Sequence, residues 1–116
     1  NFSVLPGSES KLLKSLELGC AGIITATCNV TGDLSRKVYD DFIEKNQQTA
    51  NEKLCNVRNT FEKFNLISGL HSFMSVENEI YNNVLPPVSL LSGENKKKLI
   101  EDLNKLNFKL GSLEAA

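Results

Sequence analysis

The sequence predicts an α/β fold that opens with one β–α–β unit and continues as helices alone. Three observations carry this. Short β-prone runs at residues 2–5 and 22–27 flank a single helical stretch. Pro6-Gly7 and Gly19 punctuate the joins between them. After Val30 every apolar pattern has a helical period.

The first run, Phe2-Ser3-Val4-Leu5, is apolar and is stopped by Pro6-Gly7. Ser8 is placed to cap the next helix, with Glu9 in its first turn. Leu12, Leu13 and Leu16 form that helix's apolar stripe, and Gly19 suits its C-terminal cap. The second run, Gly22 to Thr27, follows at once, so the two strands are expected to be parallel with a right-handed crossover. Residues 33–45 then place Leu34, Val38 and Phe42 on one helical face, and residues 47–64 place Leu54, Val57, Phe61 and Phe64 on another. Residues 66–76 add Leu70, Phe73 and Met74. Leu85-Pro86-Pro87-Val88 must be extended or turn-like, because each proline restricts the residue before it. Ser92 caps a last helix over residues 94–106, with Leu99, Ile100, Leu103 and Leu106 on one side.

The second strand ends in small polar groups, Thr27, Asn29 and Thr31. Alternation puts Ile24, Ala26 and Cys28 on one side and Ile23, Thr25 and Thr27 on the other. The expectation is that the first set faces helices and the threonines face inward. Ligands of parallel α/β folds bind at the carboxyl ends of strands, where small polar residues serve a pocket. The same residues also serve as helix caps, with Thr31 or Asp33 at the N-cap, and both readings stay open at this level. Lone His71 has no acid or nucleophile nearby in sequence, and Lys96-Lys97-Lys98 reads as a solvated helix face balanced by Glu94, Glu101 and Asp102.

The 116 residues suffice for one domain, and at 41% hydrophobic they can fill a core. Lys+Arg 13 against Asp+Glu 14 leaves a formal charge of -1, which offers no footprint for nucleic acid or an anionic membrane. No apolar run reaches the ~18 residues of a membrane span. Cys20, Cys28 and Cys55 form no CxxC pair, and with one histidine a closed zinc site is poorly supplied. Reduced thiols in a cytoplasmic protein are expected, with neither metal nor cofactor. The chain begins at Asn1, on residues that already read as a strand, as expected of a piece of something longer.

Two blocks resemble a known family. "FSVLPGSESKLLKSLELGCAGIITATCNV" resembles the seventh and eighth strands of the dihydrodipicolinate synthase/N-acetylneuraminate lyase family, and "NNVLPPVSLLSGENKKKLIEDLNKLNF" is similar to its proline-containing segment and final helix. The resemblance implies the C-terminal portion of a (β/α)8 barrel: the last two βα units over residues 1–45 and a helical extension over 46–116. Such a chain is mostly helical by itself. The family's aldolases form a Schiff base between a lysine on the sixth strand and pyruvate or another 2-oxo acid. That lysine, a proton-shuttling tyrosine and a carboxylate-holding threonine loop would all precede Asn1. Lys11, Lys14, Lys37 and Lys98 fall on helical segments, so no residue here is expected to be catalytic.

What the resemblance carries over is a pocket wall. Ile24 matches the position whose backbone meets bound pyruvate, and Gly7 the glycine where the backbone comes close to substrate. Glu9 lies in the loop that contacts the hydroxylated part of sugar-acid substrates, and Thr25 points inward by the alternation above. Family members often carry a second acid where this chain has Ser10, which weighs against a sialic acid substrate. The implied parent is a lyase, dimeric or tetrameric as family members often are. The rival reading is a small, mostly helical protein-interaction module without catalytic activity. It leaves the parallel opening, with its unpaired strand edge, unexplained.

Overall fold

The computed structural model describes residues 1–109. They fall into two compact units, Asn1–Arg58 and the stretch from Asn59 onward.

In the first unit the two expected strands are present only as extended segments. Ala21 donates its N–H to the Val4 carbonyl at 3.0 Å, and Ile24 donates to the Pro6 carbonyl at 3.2 Å. The two segments therefore run parallel, as expected. No regular ladder forms among the described residues. The step from Val4 to Pro6 is matched by a longer step from Ala21 to Ile24, with Gly22 at φ 154° in between. That is the geometry of a bulge. Pro6 also has no N–H with which to return a bond.

A 3₁₀ turn, Glu9–Lys11, leads into helix α1, Leu12–Glu17. Ser8 stands at the N-cap of the 3₁₀ turn, not of α1, in extended geometry, and its hydroxyl meets Ser10 Oγ at 2.8 Å and caps no backbone N–H. Gly19 ends α1 as expected. At φ 88° it lets Cys20 N–H reach the Ser15 carbonyl at 2.8 Å while its own N–H bonds Leu16 at 3.0 Å.

Helix α2 spans Cys28–Ile43 and begins at Thr27, neither at Thr31 nor at Asp33. Thr31 and Asp33, the two N-cap candidates, instead lie inside the helix. Val30 is buried there, and the Thr31 hydroxyl has buried acceptors. Beyond α2 the chain turns at Lys45 (φ 58°) into helix α3, Asn51–Glu62. Asp41 fastens this corner: Oδ1 accepts from Lys37 Nζ at 2.7 Å, and Oδ2 from Thr49 Oγ1 at 3.0 Å and Thr49 N–H at 3.3 Å. The Lys37 hydrogen bond is the main reason that this carboxyl sits below its ordinary range. Burial opposes it, and Thr49 helps. The core of the unit is Leu12, Leu16, Val38, Ala50 and Leu54, with Leu13, Ile23, Leu34, Tyr39 and Phe42 packed against it.

The second unit takes in the end of α3, helix α4 (Leu66–Met74), a 3₁₀ turn (Glu79–Asn82) and helix α5 (Gly93–Lys105). Asn65 caps α4 by accepting from Ser68 N–H, and Ser92 caps α5 by accepting from Asn95 N–H. Residues 85–88 form a turn closed by Val88 N–H on the Leu85 carbonyl, with a cis Pro86–Pro87 bond. Phe61, Leu70, Phe73, Leu99, Leu103 and Phe108 are buried. Phe73 meets Phe61 edge-on at 5.6 Å and stacks on Phe108 at 5.7 Å. Gly69 lets the helices close up, since a Cβ there would lie 3.5 Å from Phe61 and 3.8 Å from Leu99. His71 Nδ1 lies 2.9 Å from the Tyr81 carbonyl oxygen, which fixes its ring to the following turn. Of the three consecutive lysines, Lys97 and Lys98 are exposed, while Lys96 donates to Ser75 Oγ at 2.9 Å.

Candidate functional site

The unusual chemistry of the first unit lies at Glu9. Its side chain is 0% exposed. An isolated buried carboxylate is costly, so its partners have to be accounted for. Oε1 accepts from Thr25 Oγ1 at 2.7 Å, from Thr31 Oγ1 at 2.9 Å, and from Thr27 Oγ1 in a very short contact. Oε2 accepts from Arg58 Nη1 at 3.0 Å. The same Nη1 also donates to Thr27 Oγ1 at 2.9 Å.

The four partners arrive on three different elements. Glu9 opens the 3₁₀ turn just after Gly7. Thr25 and Thr27 end the second extended segment, Thr31 lies in the first turn of α2, and Arg58 projects from α3. Thr25 has a second task. Its Oγ1 accepts Cys28 N–H at 3.0 Å, satisfying one of the open donors at the start of α2. Burial pushes the Glu9 carboxyl upward. The hydrogen bonds from Thr27 and Thr25, its own backbone, and Thr31 outweigh this and hold it below its ordinary value. Burial raises the Cys55 thiol, and the Glu9 charge adds to that rise.

The four expected wall residues therefore divide into two pairs. Glu9 and Thr25 meet inside. Gly7 and Ile24 meet outside: a Cβ on Gly7 would sit 3.9 Å from the Ile24 carbonyl oxygen, and the Ile24 side chain is 72% exposed. The alternation is as expected, but the faces are exchanged. Ile23, Thr25 and Thr27 turn toward the helices, whereas Ile24 and Ala26 turn outward. The buried acid explains the exchange, because it needs the hydroxyls on its own side.

Arg58 was not anticipated, although its signal is present in the sequence. Leu54, Val57 and Phe61 define the buried stripe of α3, and Arg58 falls on that stripe, four residues after Leu54. A charge on a buried stripe calls for a buried counter-charge.

A carboxylate held by three hydroxyls and a guanidinium is a structural anchor and is poorly suited to take a proton. Lys37 is fixed by Asp41, whose hydrogen bond and charge raise its ammonium above the ordinary range. Schiff-base chemistry needs the opposite shift. Among the described residues no three His, Cys, Asp or Glu side chains group as metal ligands, and no helix is long and apolar enough to cross a membrane.

Comparison with known proteins places this architecture. No curated protein matches the chain. Among solved structures, dihydrodipicolinate synthase from Agrobacterium tumefaciens str. C58 superposes with a TM-score of 0.74 at 18% identity, over 90% of this chain and 35% of that one. A monomeric dihydrodipicolinate synthase variant gives 0.73 at 18% identity, over 92% of this chain and 37% of its own. The chain thus spans about a third of the length of the structures it matches. These likenesses concern the fold. The sequence model of the dihydrodipicolinate synthetase family matches residues 1–106, and the chain belongs to that family.

Proposed function

We propose that this chain is the C-terminal part of a Schiff-base-forming lyase that acts on pyruvate or another 2-oxo acid. In this reading residues 1–45 are the last two βα units of a (β/α)8 barrel and residues 46–116 its helical extension. The observation that carries the proposal is the outward face of the two extended segments. Ile24 is exposed there with the backbone of Gly7, and Phe2, Val4 and Leu5 of the first segment are also exposed. Adjacent strands of a barrel would cover that edge, and its inward side would hold substrate. Gly7 and Ile24 present backbone to the 2-oxo acid, while Glu9 and Thr25 hold that backbone from behind. The family match over residues 1–106 and the coverage of 35% of the Agrobacterium enzyme support a larger parent. A free-standing helical interaction module would leave both unexplained. The parent is a cytoplasmic homo-oligomer in this reading, and it needs no metal or cofactor because the imine itself is the electron sink.

Borohydride reduction in the presence of pyruvate tests the proposal. The 116-residue chain should gain no mass, and the full-length protein should gain one reduced pyruvyl adduct on a lysine outside this chain. An adduct on Lys11, Lys14, Lys37 or Lys98, or no adduct on the full-length protein, overturns it.

A further inference from the structure

We infer that Arg58 is a positioning residue for the 2-oxo acid wall: from α3 it holds Glu9 and Thr27, and through them the Gly7 and Ile24 backbone. The inference rests on the proposed reading of that wall and adds a residue from outside the βα units.

The connections are short: hydrogen bonds continued by one or two residues of chain. Arg58 Nη1 meets both Glu9 Oε2 (3.0 Å) and Thr27 Oγ1 (2.9 Å). Glu9 is two residues from Gly7, and the Glu9-bound Thr25 is the next residue after Ile24. The two outer backbones are also tied to each other, since Ile24 donates its N–H at 3.2 Å to the carbonyl of Pro6, the residue before Gly7. The Arg58 side chain is itself only 9% exposed, so it cannot drift into solvent without opening the cluster. A planar guanidinium holds its donors in fixed directions, whereas a lysine ammonium on a flexible stem has rotating donors and a different reach. Misplacing a substrate-facing backbone by a fraction of an ångström weakens binding even where the chemistry is intact.

The full-length protein carrying Arg58→Met, Arg58→Lys or Glu9→Gln tests this. Pyruvate dependence of borohydride trapping and steady-state kinetics are read well below each variant's melting temperature. Arg58→Met should raise the KM for the 2-oxo acid by about tenfold and leave kcat within about twofold, the mark of lost binding geometry with intact chemistry. Arg58→Lys should recover part of that loss, and it serves as the readout if Arg58→Met does not fold. Glu9→Gln should shift KM in the same direction, because the acid is the link between Arg58 and the wall. A purely structural Arg58 predicts lower melting temperatures with wild-type KM in every folded variant, and that result overturns the inference. If the wild-type protein itself forms no adduct, the Schiff-base reading falls and the positioning role falls with it. That outcome is distinct from variants that trap pyruvate at wild-type concentrations.

Discussion

Glu9 and Arg58 lie 49 positions apart in sequence and meet at 3.0 Å inside the first unit, one side chain 0% and the other 9% exposed. Closing so long a loop on a buried ion pair is worthwhile only if the pair is fully supported by hydrogen bonds, and here three threonines supply them. Truncating one partner leaves the other charge buried and uncompensated. Glu9→Ala and Arg58→Met should each destabilise the chain by about 3–5 kcal/mol, and the double variant by clearly less than their sum. Denaturant titration of the three variants measures this. Additive losses would show that the two side chains act independently.

The same carboxylate makes stability depend on acid. Thr25, Thr27, Thr31 and Arg58 face it, with Cys55 nearby, and its pKa is lowered from an ordinary 4.5. A carboxyl depressed in the folded state contributes stability that is fully present above its unfolded value and is lost as pH falls through the folded one. The stability gap between wild type and Glu9→Gln should therefore be constant from neutral pH to about 5 and shrink below about 4. Asp41, also lowered, adds to the same acid-side loss. Melting curves between pH 7 and 3 check it. A gap that widens on acidification contradicts this assignment of the charge.

Much of this was legible beforehand because burial follows period. Val38, Leu54, Val57, Phe61, Leu99 and Leu103 sit on the stripes their spacing predicts, and Ser92 and Gly19 act at helix ends where such residues belong. What spacing does not show is which face of a short strand turns inward. Ile24 and Thr25 differ in polarity, and polarity alone assigns the isoleucine to the core. A buried acid elsewhere in sequence reverses that, since three hydroxyls serve Glu9 better than any apolar side chain. The start of α2 was misplaced for the same reason. Thr31 and Asp33 look like N-caps until a partner for the Thr31 hydroxyl is known. The pairing of the strands was legible, but the bulge at Gly22 was not.

Two turn positions make opposite predictions from one rule. Lys45 (φ 58°) and Gly19 (φ 88°) both occupy left-handed backbone after a helix. A side chain there costs about 1–2 kcal/mol relative to glycine. Lys45→Gly should raise the melting temperature and Gly19→Ala should lower it, although nothing lies within 4 Å of a Cβ at Gly19 to clash with it. A thermal scan of both variants suffices. If Gly19→Ala melts like the wild type, backbone strain is not what places glycine there.

The exchanged faces of the second segment give the sharpest contrast between neighbours. Thr25 Oγ1 donates to Glu9 and accepts Cys28 N–H. Thr25→Val keeps the shape but removes one donor from a buried carboxylate and one acceptor from a helix start. Unmet buried groups of this kind cost about 1–3 kcal/mol. Ile24 is 72% exposed, so Ile24→Val removes little buried surface and should change the stability of this chain by under about 0.5 kcal/mol. Chemical denaturation of the two variants of the 116-residue chain separates these cases. If Ile24→Val proves the more damaging, the isoleucine faces the helices after all. The Glu9 cluster would then not be the reason that the threonines lie on that strand.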